Sequence, residues 1–222
     1  MKMRSSLCLA VLAALAVNAN ASVITLQVAT VGNLAAQTSA TAYKSVVDAA
    51  LANTSAYKGS KSVDVYDNLT VNSKFGSLSS YAFESTIDFG VTAAQAGNWN
   101  FRTGVDFGFG GAMFLDGVAL GYNANDMWWG GSYTAANGSL QASALLAAGN
   151  HVLKIYGLES CCDGGQQAQF KAANAGAYAT FASGDKLNAV PEPVSIATFG
   201  LGAGALALVR RRRSRNCSRK AA

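Results

Sequence analysis

The sequence predicts a mainly β protein: a single antiparallel β-sandwich with one short N-terminal helix. Apolar and polar residues alternate through the later part of the chain, as expected for strands with one buried face. The strand-like segments are short and are separated by turns rich in Gly, Asn and Ser, which is typical of a sandwich. No internal repeat or long linker interrupts residues 22–184, and this length suits one domain.

The N-terminal residues 1–21 have the pattern of a secretory signal peptide. Lys2 and Arg4 form a basic start, and residues 7–17 form an apolar run that is too short to span a bilayer. Ala19-Asn20-Ala21 supplies a small-x-small cleavage pattern, so cleavage is expected before Ser22.

The segment TAYKSVVDAALAN, residues 41–53, predicts the helix, with Asn53 as its C-terminal stop. Its apolar residues follow i, i+3, i+4, i+7 and i+8 spacing: Tyr43, Val46, Val47, Ala50 and Leu51.

Strands are predicted around this helix and through the rest of the domain. The strand-like segments are SVITLQVATV, SVDVYDNLTV, SYAFESTIDFGV, NWNFRTGVDF, HVLKIYGLE and, as a long closing strand, AQFKAANAGAYATFA. In NWNFRTGVDF one face carries Trp99, Phe101, Thr103, Val105 and Phe107. AMFLDGVAL predicts a tight hairpin with Asp116-Gly117 in its turn, and Gly149 is the flexible residue of the turn that enters HVLKIYGLE.

The C-terminal region has three parts. Residues 185–193 form a linker that ends in two prolines and cannot continue a helix or sheet. Residues 194–209 are apolar, and 16 residues extend about 24 Å as a helix. Residues 210–222 form a basic tail that, under the positive-inside rule, stays in the cytoplasm.

This terminus closely resembles the PEP-CTERM sorting signal of Gram-negative bacteria that make exopolysaccharide. The matching residues are Val190, Pro191, Glu192, Pro193, Arg210, Arg211, Arg212 and Arg213, on either side of the apolar helix. The resemblance implies recognition by an exosortase, an inner-membrane intermediate, removal of the tail, and delivery to the cell surface or extracellular matrix. A plain C-terminal membrane anchor remains the alternative.

Removal of both ends changes the charge of the protein. The whole chain has 17 basic and 12 acidic residues, whereas residues 22–189 contain 8 basic and 11 acidic residues. The exported part is therefore acidic, which argues against nucleic-acid binding.

A second resemblance covers about residues 79–182. NFRTGVDFGFGGAMFLDGVAL and the following LLAAGNHVLKIYGLE look like the protective-antigen and flocculin type of β-sandwich. In that group several members bind glycans, some of them through calcium. Here the expected aspartate pair is reduced to Asp106 followed by Phe107. No cofactor is predicted, although calcium binding through Asp106, Asp116 or Asp163 stays open.

Few residues are candidates for chemistry, and none forms a recognisable catalytic or metal-binding motif. His151 is the only histidine, and its place at a strand start favours a structural hydrogen bond over catalysis. Trp128 and Trp129 are the best candidates for ligand binding, because adjacent aromatics in a Gly-rich loop can stack on sugar rings or contact another protein. Packing of one ring against the core is the alternative.

Cys161 and Cys162 are adjacent and are the only cysteines in the exported part. Export makes oxidation plausible, and a vicinal disulfide at the turn Asp163-Gly164-Gly165 is the favoured state. An intermolecular bridge and free thiols remain open. The run also looks like the Cys-Cys-x-Gly signature of a PEP-CTERM subgroup.

Three functions remain compatible with these observations. The first is a noncatalytic protein of the surface or matrix, held in or near exopolysaccharide. The second is a carbohydrate-binding module that recognises this exopolysaccharide, using Trp128, Trp129, Asp106 and Asp116. The third is a secreted hydrolase, which the lack of a nucleophile-base pattern disfavours.

Overall fold

The computed structural model describes residues 22–135, 137–161 and 163–187. Within them two antiparallel sheets pack face to face, which confirms the predicted β-sandwich. The strands are β1 Val23–Thr30, β2 Tyr57–Val63, β3 Tyr81–Val91, β4 Gly97–Gly104, β5 Gly111–Leu115, β6 Val118–Asn123, β7 Ser139–Leu146, β8 Gly149–Glu159, β9 Gln167–Lys171 and β10 Ala179–Thr180. The described residues form two helices, α1 Ala40–Ala52 and α2 Val71–Phe75, where the sequence predicted one.

The two sheets differ in size. The large sheet has the order β2-β1-β3-β8-β5-β6, and the small sheet has the order β10-β9-β4-β7. At the centre of the large sheet β3 and β8 pair along their whole length, from Tyr81 opposite Glu159 to Val91 opposite Gly149. The main core lies between the sheets and is rich in aromatic rings, among them Phe89, Trp99 and Phe101.

The alternation predicted for β4 is confirmed. Its inward residues and their continuation are all buried: Trp99, Phe101, Thr103, Val105 and Phe107. Because successive side chains of a strand point to opposite faces, Asn98, Asn100, Arg102 and Gly104 belong to the outer face of the small sheet.

Helix α1 covers the outer face of the large sheet. Ser39 caps its start by accepting a hydrogen bond from the Ala42 amide at 3.1 Å, and it ends at Asn53 as predicted. Tyr43 and Val47 are buried in a second apolar cluster that includes Tyr156 and Leu158 of β8. The middle of the large sheet is therefore buried on both sides, whereas no helix of the described residues covers the outer face of the small sheet.

The predicted hairpin in AMFLDGVAL is present between β5 and β6. Asp116 and Gly117 form its two-residue turn with φ of 51° and 80°. Two successive positive φ values are the requirement of a tight hairpin turn that follows the strand twist.

Three details differ from the sequence-based expectation. SVDVYDNLTV is not one strand, because β2 starts earlier, at Tyr57, and ends at Val63, and α2 begins at Val71 with Thr70 and Asp163 accepting its free amides. AQFKAANAGAYATFA is not one strand either: it turns back on itself to give β9 and β10. Strand β7, SLQASALL, had no counterpart in the prediction.

The two ends of the described chain meet. The Ser22 amide donates a hydrogen bond to Asp185 Oδ1 at 3.2 Å, and buried Leu187 accepts one from the Gly90 amide at 3.0 Å. Leu187 thus packs with the domain beyond the predicted boundary at residue 184. The predicted signal peptide, PEP motif, apolar helix and basic tail lie outside the described residues.

None of the helices in the described ranges is both long and apolar enough to span a bilayer.

Candidate functional site

Strand pairing aligns polar side chains in rows across the outer face of the small sheet. Arg102 of β4 lies opposite Gln141 of β7 on one side and Gln169 of β9 on the other. Asn100 lies opposite Ser143 and Lys171 in the next row. Directly opposed side chains on one face contact each other, so these rows form a continuous polar surface.

Arg102 is held at the centre of this surface between two aromatic rings. Its guanidinium carbon lies 4.0 Å from the centroid of Tyr133 and 3.7 Å from that of Tyr178. Its Nε donates a hydrogen bond to Gln169 Oε1 at 2.7 Å. The rings attract the cation through their π faces, and the hydrogen bond fixes the rotation of the guanidinium plane.

Trp129 fills the position next to Arg102 along β4. Gly104 has no side chain, and a Cβ built there would stand 2.3 Å from the Trp129 ring, so the ring lies directly on the glycine. The Tyr133 ring follows at 5.6 Å. The indole Nε1 is buried and has no hydrogen-bond partner among the described residues, so packing alone holds this ring.

The two predicted tryptophans therefore have different environments. Trp129 is half-buried on Gly104, whereas Trp128 is 69% exposed. Trp129 packs on the outer face of the small sheet rather than against the core, and Trp128 offers its ring to solvent. Ligand binding by these residues stays a prediction.

We call this surface the platform. It consists of aromatic rings, amides, hydroxyls and two cations on the outer face of the small sheet: Asn100, Arg102, Trp129, Tyr133, Gln141, Ser143, Gln167, Gln169, Lys171 and Tyr178. Tyr133 links its members further, since its hydroxyl donates to Gln167 Oε1 at 2.9 Å and its carbonyl accepts from Gln141 Nε2 at 2.8 Å.

A second group of polar residues surrounds the loop between β8 and β9. Glu159 accepts backbone hydrogen bonds from Gly108, Ser160 and Cys161 at 2.5–2.8 Å, and Asp106 accepts one from Gly164 at 2.6 Å. Burial raises the pKa of both carboxyl groups, although these amide hydrogen bonds oppose the shift. The carboxylates therefore act as anchors for the loop backbone.

The acidic residues do not fit a calcium site. Phe107, at the place of the expected second aspartate, points its ring into the core, where a Cβ on Gly157 would come within 2.3 Å of it. Asp163 accepts the first amides of α2 at 2.7 and 2.6 Å. The described part of the chain contains no group of three or more acidic, histidine or cysteine side chains placed to hold a metal.

Asp116 and His151 lie at the other end of β8. Asp116 accepts from the Val152 amide at 2.8 Å, and its second oxygen lies 2.7 Å from His151 Nδ1. His151 Nε2 lies 3.0 Å from the Ala147 carbonyl oxygen. Both ring nitrogens are thus used to join two turns, the structural role favoured by the sequence. Asp116 and Asp106 do not form one site.

Cys161 is exposed and its amide donates to Glu159, while Cys162 lies outside the described residues. The predicted vicinal disulfide accordingly stays a prediction. The glycines after it are required by close packing, since a Cβ on Gly164 would stand 2.4 Å from Asp106 Oδ2 and one on Gly165 2.6 Å from Asn68 Oδ1.

Most of the platform was not identified from the sequence. Arg102, Tyr133 and Tyr178 come from β4 and two separate loops, and only strand pairing brings them together. One signal was present: the alternation that buries Trp99 and Phe101 also places Arg102 on the outer face.

Comparison with solved structures identifies similar folds. A PA14 sugar-binding domain from an RTX adhesin is 14% identical, covers 77% of this chain and 99% of its own, and has a TM-score of 0.52. The PA14 domain of the antifreeze protein MpAFP is 12% identical, covers 72% of this chain and 87% of its own, and has a TM-score of 0.52. At such identities the similarity shows the fold alone, which is the fold implied by the protective-antigen resemblance. No protein-family model matches the sequence, and no curated protein matches it.

Proposed function

We propose that this chain is an exported, noncatalytic carbohydrate-binding protein of the cell surface or extracellular matrix. The proposal rests on the platform, where aromatic rings lie beside amide and hydroxyl side chains on an outer face that no helix of the described residues covers. Aromatic faces pack on the apolar faces of sugar rings, and amides and hydroxyls exchange hydrogen bonds with sugar hydroxyls.

Two further observations support the proposal. The chain shares its fold with a PA14 domain described as sugar-binding. The sequence of both termini predicts export and sorting by an exosortase to the surface of bacteria that make exopolysaccharide. In this proposal the polysaccharide of the matrix is the binding partner, and the C-terminal helix contacts the membrane only before cleavage.

A noncatalytic role agrees with the placement of the polar groups. Within the described ranges, both nitrogens of His151 contact hydrogen-bond acceptors, Asp116 and the Ala147 carbonyl, and no nucleophile is among these contacts. A catalytic histidine needs a nucleophile within hydrogen-bond reach. These contacts disfavour a hydrolase that works through a histidine and a nucleophile.

The test is affinity electrophoresis of the purified exported protein in native gels that contain dissolved dextran, xyloglucan, alginate or polygalacturonate. We expect at least one polymer to retard the protein. We expect Trp128→Ala to reduce this retardation several-fold, because it removes an exposed ring directly before the platform residue Trp129 in the chain, with little change in packing.

The matched control is Tyr122→Ala, which removes another exposed ring, on β6 at the edge of the large sheet. It should leave retardation unchanged. Migration unaffected by every polymer would refute carbohydrate binding, and equal losses in the two variants would refute the role of Trp128.

A further inference from the structure

We infer that the platform binds a carboxylate-bearing polysaccharide, with Arg102 as the receptor for the uronate carboxylate. The inference rests on the proposed carbohydrate-binding function and adds to it the charge class of the polymer and the group that reads it.

Arg102 is immobilised on the platform. Tyr133 and Tyr178 cover the two faces of its guanidinium, and Gln169 takes its Nε hydrogen. The edge of the guanidinium that carries the terminal Nη groups is available for a ligand, since those groups have no hydrogen-bond partner among the described residues. A guanidinium edge presents two parallel N–H donors that match the two oxygens of a carboxylate, and a fixed side chain loses little entropy on binding.

Within the described residues, neither cation of the platform forms an ion pair with an acidic side chain. The ion pairs of the described residues are Lys44–Asp48, His151–Asp116 and Lys154–Glu84. Neither Arg102 nor Lys171, whose Nζ lies 5.3 Å from the Tyr178 ring, belongs to one. Asp67, at the margin of the platform, accepts a hydrogen bond from Gln167 Nε2 at 2.5 Å. The platform thus carries two cations that belong to no ion pair of the described residues, although the domain as a whole has a net negative charge. These two cations complement an anionic ligand.

The platform extends along the whole of β4. The outer face of β4 from Asn98 to Gly104 is about 20 Å long at roughly 3.3 Å per residue. Amides and hydroxyls line it on β7 and β9, at Gln141, Ser143 and Gln169. A surface of this length suits an extended polymer rather than a single sugar.

The experiment compares a polyuronate with its own uncharged form. Alginate and polygalacturonate are each tested before and after chemical reduction of the carboxylates to alcohols, in EDTA, by affinity electrophoresis of the exported protein. We expect binding to at least one native polymer to be about tenfold or more tighter than to its reduced form, the effect of one charge-assisted bidentate contact.

Variants assign this preference to Arg102. Arg102→Gln should remove the discrimination between native and reduced polymer, and Arg102→Lys should restore little of it, because an ammonium lacks the planar pair of donors. Lys171→Gln should weaken binding a few-fold. Lys61→Gln, which removes one exposed charge at the β2 edge of the large sheet, should leave binding unchanged. Urea midpoints and near-ultraviolet circular dichroism verify the fold of each variant.

The outcomes separate this inference from the function on which it rests. Equal binding of native and reduced polymers, with loss in Trp128→Ala, would refute the carboxylate receptor and keep carbohydrate binding. Displacement of polyuronate by duplex DNA at equal charge concentration would show that charge alone is read, and would also refute the inference. If no native, reduced or neutral polymer bound, both proposals would fall.

Discussion

At the residue scale, the platform depends on a missing side chain. The outward position of Gly104 in β4 is filled by the Trp129 ring, which connects the loop before β7 to the sheet. The same ring contacts Tyr133, which in turn stacks on Arg102. A side chain added at Gly104 would therefore shift Trp129 and Tyr133 and change the stacking on the Arg102 guanidinium.

We expect Gly104→Ala to displace the Trp129 ring, because its Cβ would stand 2.3 Å from ring atoms. The free energy of unfolding should fall by about 1–3 kcal/mol, the usual cost of overpacking. Urea denaturation measures the loss, and a red shift of tryptophan emission reports exposure of the ring.

The control is Gly121→Ala on β6, where an added Cβ meets nothing within 4 Å. It should change stability by less than half a kcal/mol, roughly the range of surface substitutions. A Gly104→Ala protein as stable as the control would contradict the packing of the Trp129 ring on Gly104.

At the scale of elements, the loop between β8 and β9 is held from three sides. Glu159 accepts hydrogen bonds from the amides of Ser160 and Cys161, at the start of the loop, and from the amide of Gly108. Asp163 accepts from the amides of Val71 and Asn72 in α2. Asp106 accepts from the amide of Gly164. Among the described residues of this loop, Glu159 and Asp106 hold backbone amides, and Asp163 ties the loop to α2.

These anchors predict a pH dependence of stability. Burial raises the folded-state pKa of Asp106 above its ordinary value of 3.8, so the folded state holds the proton more tightly than the unfolded state. The penalty for ionising Asp106 is absent below the unfolded pKa and complete above the folded one. Stability contributed by this group therefore falls as pH rises through that interval.

Asp106→Asn keeps an oxygen for the Gly164 amide and removes the titration. Relative to this variant, the wild-type protein should lose stability between pH 3.8 and neutrality. Urea midpoints measured across this pH range give the comparison. Parallel curves for the two proteins would contradict it.

The cysteine prediction belongs to the same loop. If Cys161 and Cys162 are joined, the exported protein should remain monomeric and take up no thiol-alkylating groups without reductant, then two after reduction. Intact mass spectrometry of the exported protein with and without reductant measures this. Two alkyl groups taken up by an unreduced monomer would rule the bond out.

At the scale of the whole molecule, local rules predicted the elements but not their arrangement around the platform. The period-two pattern of β4 and the Asp116-Gly117 turn are local, and both are as predicted. Strand β7 escaped prediction because SLQASALL lies at a sheet edge, where exposed Leu145 blurs the alternation. The division of the last segment into β9 and β10 depends on pairing between them, which local sequence does not encode.

The candidate site was likewise predictable only in its local features. Trp128 and Trp129 were apparent from composition. Which of the two rings packs on the sheet depends on Gly104, more than twenty residues earlier in the chain. The pairing of Asp106 with Gly164 and the stacking of Arg102 are likewise contacts between distant segments.

The meeting of the chain ends has a mechanical consequence. Because Ser22 bonds to Asp185, whatever precedes and follows the sandwich is attached at one corner. Closely spaced ends also permit circular permutation. Residue 187 could be joined to residue 22 by a short linker and new termini opened in the exposed turn at residues 124–126, which would move both chain ends to another part of the surface without changing the sandwich.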